Sequence, residues 1–334
     1  MLARTTALAC LALLLGGCSG WQSALDPKGP QARHLSDLIW GFTAVCTAVW
    51  LVVMVVLAVA LVRRRAPRPD PLVTDVGRER RALQIVTACT VATALIVLAL
   101  TGLSYVSQRK LFARESGGLV IRVTGHQWWW DIRYEDEHPA RVFTTANEMR
   151  IPVGEPVTVK LASTDVIHSF WVPSLMGKQD LIPGQENEIQ FTASRPGIYR
   201  GQCAEFCGWQ HARMGMLVHA LAKDEFEQWR ERQRKPAEPP SNPERQKGQE
   251  VFLSSSCVLC HTVRGTTAGS RVGPDLTHLA SRTQLAAGTL PMSRGNLAAW
   301  IVDPQGIKPG NNMPSNKLEP DRLDALVGYL AGLK

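Results

Sequence analysis

The chain has 334 residues, too many for one ordinary domain and suited to two. At 45% hydrophobic and 20% charged it holds ample apolar surface, which excludes disorder over most of its length. Eight cysteines are too few for a disulfide scaffold, and a net charge of +8 suggests a polyanionic partner, although a run of arginines beside a membrane span gives the same excess.

Ala7 to Leu15 is a short apolar core behind Arg4, which predicts a secretory signal over residues 1–17. Leu15-Gly16-Gly17-Cys18 has the form of a bacterial lipobox, making Cys18 the candidate for lipidation; an ordinary cleaved signal is the alternative. A short exported segment, 18–37, leads into two uncharged stretches of 25 residues, 38–62 and 82–106. As helices each would reach about 37 Å, enough for roughly 30 Å of hydrocarbon. The connection carries Arg63, Arg64, Arg65, Arg68, Arg78, Arg80 and Arg81, so it is expected to be cytoplasmic. Much of the positive charge is thereby explained as topology, and nucleic acid drops out as a partner. With no His or acid in either span, the hairpin itself binds no intramembrane haem or copper. Cys46 and Cys89 are read as small packing residues in the spans.

From residue 118 the pattern changes to short β-type runs separated by turns such as Pro183-Gly184 and Pro196-Gly197. An antiparallel sandwich or barrel outside the membrane is predicted. Into it is set Cys203-Ala204-Glu205-Phe206-Cys207-Gly208-Trp209-Gln210-His211-Ala212-Arg213-Met214. Thiolate and thioether ligands select copper over calcium or magnesium. With the cysteine doubled, two copper ions can share two sulfurs, each ion then needing one histidine. His211 supplies one, and His168 is the best candidate for the other between 118 and 223. A disulfide or a zinc site competes with this reading.

Residues 20–230 resemble subunit II of haem–copper cytochrome c oxidases. The resemblance rests on the hairpin, Gly125-His126-Gln127-Trp128-Trp129-Trp130, Asp165-Val166-Ile167-His168-Ser169, Lys178-Gln179-Asp180 and the cysteine loop. It implies a cupredoxin-like domain over 107–230 holding a binuclear copper A centre. The ligands it implies are His168, Cys203, Cys207, His211, Met214 and the backbone carbonyl of Glu205. It further implies magnesium on the Glu205 carboxylate at the interface with subunit I, and electron intake from cytochrome c at Trp128. Glu79 stands roughly where the family places a proton-channel acid, although the surrounding arginines depart from that pattern. His126, His138 and His219 are read as structural or surface residues.

A proline-rich linker, 231–243, is expected to be extended and semi-rigid. Beyond it Cys257-Val258-Leu259-Cys260-His261 is the c-type haem attachment pattern: two thiols for the vinyl groups and an adjacent imidazole for the iron. The sixth ligand is expected from Met313, with Met292 as the alternative because it follows a proline and precedes no predicted helix. Residues 244–334 resemble a class I cytochrome c, an all-α domain in which Pro274 orients His261. The closing helix is expected over 321–333.

Together these readings predict a multi-domain membrane protein similar to subunit II of caa3-type oxidases. It would pass electrons from cytochrome c or another donor through haem c and copper A to subunit I. There oxygen would be reduced to water with proton pumping, because this chain has no oxygen-reducing site of its own. The expected location is the bacterial inner membrane, multi-pass, with both redox domains outside the cytoplasm. A membrane-anchored copper-delivery protein is the alternative, since it too uses a C-x3-C pair and a distant histidine.

Overall fold

The computed structural model describes residues 20–63, 75–111 and 117–334. The expected signal, Cys18 and the loop arginines 64, 65 and 68 lie outside the described residues. The described residues between 34 and 111 form a compact unit of their own, built on helices α1 (Pro30–Val62) and α2 (Val76–Leu111). Both are long and apolar enough to cross a membrane. Val52, Val56, Leu61, Leu83 and Leu98 are each more than half exposed, an apolar surface suited to lipid rather than water. The Thr90, Thr93 and Thr101 hydroxyls donate to the carbonyls of Val86, Cys89 and Val97, so these polar groups are satisfied within the helix.

The second unit takes in residues 20–33 and 117–334. Its first part is a sandwich of two five-stranded sheets. One runs β3 (Phe143–Ala146), β2 (Trp129–Tyr134), β1 (Leu119–His126), β5 (Val157–Ser163), β8 (Asn187–Phe191). The other runs β4 (Glu148–Pro152), β10 (Gly215–Leu221), β9 (Gly197–Cys203), β6 (His168–Trp171), β7 (Gln179–Leu181). Alternate residues turn inward: Ile121 and Val123 on β1, Trp130, Ile132 and Tyr134 on β2, Val157, Val159 and Leu161 on β5. The sheets are mixed rather than antiparallel as expected, since β1 pairs with β5, and β4 with β10, in parallel. Neither pair is joined by a hairpin; long crossovers separate them in the chain, which is what parallel pairing requires.

Strand β10 departs from one-sided burial. Met216, Val218 and Ala220 enter the sandwich core, yet Leu217 and His219 on the opposite face are also buried. Something covers the outer face of this sheet. Helix α3 (Lys223–Arg234) closes one edge of the sandwich, with Trp229 packed against Tyr134 and Phe143. The cytochrome-like domain covers the rest, as its contacts below show.

Helix α3 continues to Arg234, so the first residues of the expected linker are helical. The proline-rich stretch after it is not a free tether either. Ala237 donates its N–H to the Arg264 carbonyl at 2.9 Å, and His278 Nε2 meets the Lys235 carbonyl at 3.0 Å. The final domain packs helices α4 (Pro243–Ser254), α5 (Arg294–Val302), α6 (Pro304–Ile307) and α7 (Pro320–Leu330) around Phe252, Leu297, Leu326 and Tyr329. Asn242 caps α4 by accepting the Arg245 N–H. Gly248 lets α4 cross α7, because a Cβ there would run into the Ala325 carbonyl. Ser293 caps α5, so Met292 stands immediately before a helix cap, contrary to the expectation that no helix follows it.

Candidate functional site

The copper-type residues converge at one end of the sandwich. Strands β9 and β10 are joined by the loop 204–214, which is closed at its base by the Cys203 N–H donating to the Met214 carbonyl at 2.9 Å. Neighbouring β6 places Phe170 opposite Cys203, which brings His168 to the loop. The Cys203 and Cys207 sulfurs lie 3.7 Å apart, and both cysteines are buried and free. His168 Nδ1 is 3.9 Å from Cys203 Sγ, His211 Nδ1 is 3.6 Å from Cys207 Sγ, and Met214 Sδ is 3.9 Å from Cys207 Sγ. The Glu205 carbonyl sits 3.2 Å from Cys203 Sγ. Two sulfurs thus form the middle of a cluster, with one imidazole beyond each.

Electrostatics in this cluster favour a thiolate. The hydrogen bond with Cys207 is the largest influence on Cys203, overcoming burial to hold its thiol well below the usual range. Cys207 is correspondingly pushed up, by that same partner and by burial. One proton between two buried sulfurs is the arrangement that soft metal ions replace, so the donor set fits copper. His168 is fully buried, and Asp165 Oδ1 holds its Nε2 at 2.7 Å, leaving Nδ1 toward the sulfurs. Burial works against the charged form of Asp165. Hydrogen bonds from His168, Val166 and Gln127 still hold its carboxyl below the usual range.

Space for the His168 ring comes from Gly125, where a Cβ would stand 2.8 Å from His168 Cδ2. Gly125→Ala is therefore expected to displace the ring and lower copper retention about ten-fold or more, with the sandwich still folded. Copper bound per chain after dialysis, compared with circular dichroism, checks this. Unchanged copper content would remove Gly125 from the site.

Trp128 adjoins the cluster. Its Nε1 donates to the Cys207 carbonyl at 2.9 Å, and Gln127 Nε2 donates to the same oxygen at 2.8 Å. The indole is 7% exposed, which bars it from direct contact with a separate donor protein. Its cover is the loop 307–313 of the cytochrome-like domain: a Cβ on Gly310 would lie 3.5 Å from Trp128 Cη2.

Behind that loop lies a cavity of about 620 Å³ lined by Cys257, Cys260, His261, Pro274, Met313 and Trp128, among others. His261 is held by its Nδ1, which donates to the Pro274 carbonyl at 2.8 Å, so its metal-binding lone pair falls on Nε2. Burial lowers the imidazole below its ordinary value and keeps it neutral, as an iron ligand must be. Gly273 makes room for this ring, since a Cβ there would stand 2.8 Å from His261 Cε1. Gln305 Nε2 donates to the Met313 carbonyl at 2.8 Å and fixes the loop. Apolar walls, two free thiols, a neutral imidazole and a thioether fit a c-type haem. Met292 packs beside the core of this domain and does not line the cavity.

Other expected residues fall outside these two sites. The exposed Glu205 carboxylate faces Lys178 at 3.9 Å, and Glu79 is exposed in the first turn of α2. His126 stacks on Trp129 at 4.5 Å, His138 precedes the exposed turn 139–141, and His219 is buried 3.4 Å from Glu148. Asp165 and Gly125 were missed as site residues. An acid three positions before His168 was the available signal for Asp165.

Comparison with known proteins matches this architecture. A family described as "Cytochrome C oxidase subunit II, periplasmic domain" covers residues 137–221, and one described as "Cytochrome c" covers 245–334. The chain is 38% identical to a "Cytochrome c oxidase subunit 2" of Alkalihalophilus pseudofirmus, spanning 98% of this chain and 96% of that one. It is 30% identical to the protein of the same description from Bacillus subtilis, with the same two shares. Among solved structures, the periplasmic domain of subunit II of cytochrome oxidase from Bradyrhizobium japonicum is similar, at 34% identity. It covers 36% of this chain and 95% of that one, with a TM-score of 0.34.

Proposed function

Because the chain belongs to the cytochrome c oxidase subunit II family and carries a cytochrome c domain at its C-terminus, we propose that it relays electrons inward in a caa3-type oxidase. In this reading electrons pass from an external donor through haem c and copper A to subunit I. There oxygen is reduced to water with proton pumping.

The observation that carries the reading is the position of Trp128. One residue lines the haem-type cavity and also donates a hydrogen bond to the carbonyl of copper ligand Cys207. When bound, the haem iron and the copper pair each take up and release one electron at a time, with no atom transferred. Cys257 and Cys260 would anchor the haem through thioether bonds, while His261 and Met313 would hold its iron. His168, Cys203, Cys207, His211, Met214 and the Glu205 carbonyl would hold the two coppers. The chain's own contribution is a short, rigid, dry connection. Trp128 is clasped through both its ring and its backbone, and its burial together with His168, Cys203, Cys207 and Met214 limits reorganisation around it during transfer.

The finer features belong to the same proposal. They are two spans in the bacterial inner membrane, a signal removed before Cys18, lipidation there, and magnesium on Glu205 between subunits. The donor is cytochrome c or a similar protein that docks on the cytochrome domain, since Trp128 is covered. Metal analysis with electron paramagnetic resonance and a pyridine haemochrome assay tests the reading. Two coppers sharing one unpaired electron and one haem c per chain are expected. A single exchangeable copper, as in a delivery protein, would overturn it.

A further inference from the structure

We propose that Lys308 is a positioning residue that locks the cytochrome domain onto Trp128, so that this domain works as a fixed part of the subunit rather than as a swinging tether. The proposal rests on the relay reading above and adds to it how the two redox domains are held in register.

Lys308 is 2% exposed, and among the described residues no carboxylate lies within salt-bridge distance of it. Burying an ammonium group is strongly unfavourable unless every donor finds a partner. Here all three do. Nζ donates to the carbonyls of Trp128 at 2.7 Å, Arg213 at 2.8 Å and Ala286 at 3.0 Å. The first two oxygens belong to the copper-type domain and the third to the cytochrome domain. Trp128 is therefore gripped by Lys308 at its backbone and by Cys207 at its ring, and Arg213 immediately precedes the ligand Met214.

The cage is built at some local cost. Ala286 and Ala287 both take left-handed backbone conformations, φ 51° and 57°, which are unfavourable for alanine. The turn they form presents the Ala286 carbonyl to Lys308 and the Ala287 carbonyl to the Gly215 N–H of β10, at 2.9 Å. A second buried charge points the opposite way. Glu148 of β4, 4% exposed, accepts from the Thr283 N–H, the Thr283 hydroxyl and the Gln284 N–H at 2.6–2.9 Å. Each domain thus inserts one buried side chain into the seam: Lys308 donates to two carbonyls of the copper-type domain and one of its own, and one carboxylate oxygen of Glu148 accepts three donors from the cytochrome domain. An interface with that many buried, directional contacts has one register. It also explains why the outer face of β10 is buried.

The test uses the intact oxidase complex, comparing wild type with Lys308→Met and Lys308→Arg. Methionine keeps the length without the donors; arginine keeps the charge but not the compact three-way cage. The first readout is amide hydrogen exchange at Gly215, followed with the chain at rest. Strong protection is expected in the wild type, with exchange about ten-fold faster or more in both variants. The second readout is a single-turnover experiment with ascorbate and a small mediator. Haem c reduction should be unchanged in the variants, while the step in which haem c loses one electron and the copper pair gains it should slow. Free exchange at Gly215 in the wild type would overturn the lock even if Lys308→Met failed to fold. Variants matching the wild type in exchange and in the second step would overturn it as well. A wild type that shows Gly215 protection but no transfer from haem c to copper would instead sink the relay reading and leave the lock standing.

Discussion

Replacing Cys207 with serine is expected to abolish the copper centre while sparing the haem. Cys207 Sγ is the hub of the cluster: it lies 3.7 Å from Cys203 Sγ, 3.6 Å from His211 Nδ1 and 3.9 Å from Met214 Sδ. A serine hydroxyl is smaller, harder and not ionised at neutral pH, so it can neither bridge two copper ions nor hold one beside a thioether. The copper resonance signal should vanish, and oxygen-linked turnover should fall by about three orders of magnitude or more. Haem c should still bind and still be reduced by ascorbate, because its cavity residues are untouched. Oxygen would then fail to reoxidise it. Substantial turnover in Cys207→Ser, measured by oxygen uptake, would mean that electrons reach subunit I by a path that avoids this loop.

His261→Ala should produce the opposite pattern, an intact copper signal with electrons unable to reach it. The thiols of Cys257 and Cys260 would still hold haem covalently, but the iron would lose the imidazole that Pro274 orients. Turnover with a protein donor should drop about 100-fold or more. Direct entry at Trp128 is closed, since it is covered by the Gly310 loop and is 7% exposed. Oxygen uptake with reduced cytochrome c measures this. Near-normal rates would show that a soluble donor reaches the copper directly, as it would in a subunit without the extra domain.

The chemistry of both sites was legible because the ligands lie close together in the chain. Cys203, Cys207, His211 and Met214 share one loop, and Cys257, Cys260 and His261 share another, so residue type and spacing point to copper and to haem, while a disulfide or zinc stays open for the first loop until the resemblance is added. His168 comes from a different strand, and it is the best candidate between 118 and 223 chiefly because the Asp165–Ser169 segment carries the family resemblance. What sequence could not reveal were the steric and interdomain terms. Gly125 matters only because β1 passes under the His168 ring. Lys308 and Glu148 look like ordinary surface charges, since no periodic pattern marks a residue buried by docking two folded domains. The linker shows the same blindness: proline content predicted an extended spacer, but contacts from Arg264 and His278 lay it against the cytochrome domain. Strand pairing was misjudged for a related reason, because short β runs with turns suggest hairpins whether or not crossovers intervene.

In the proposed relay, electrons enter at the cytochrome domain and reach the copper pair only from there. Anaerobic rapid mixing of the intact complex with a reduced protein donor tests it most directly, following the haem c visible band and the copper near-infrared band together. Haem c is expected to be reduced first, at a rate proportional to donor concentration. Loss of the copper band should follow in a second phase whose rate does not depend on donor concentration. Copper reduction that rises in proportion to donor and runs ahead of haem c would contradict it.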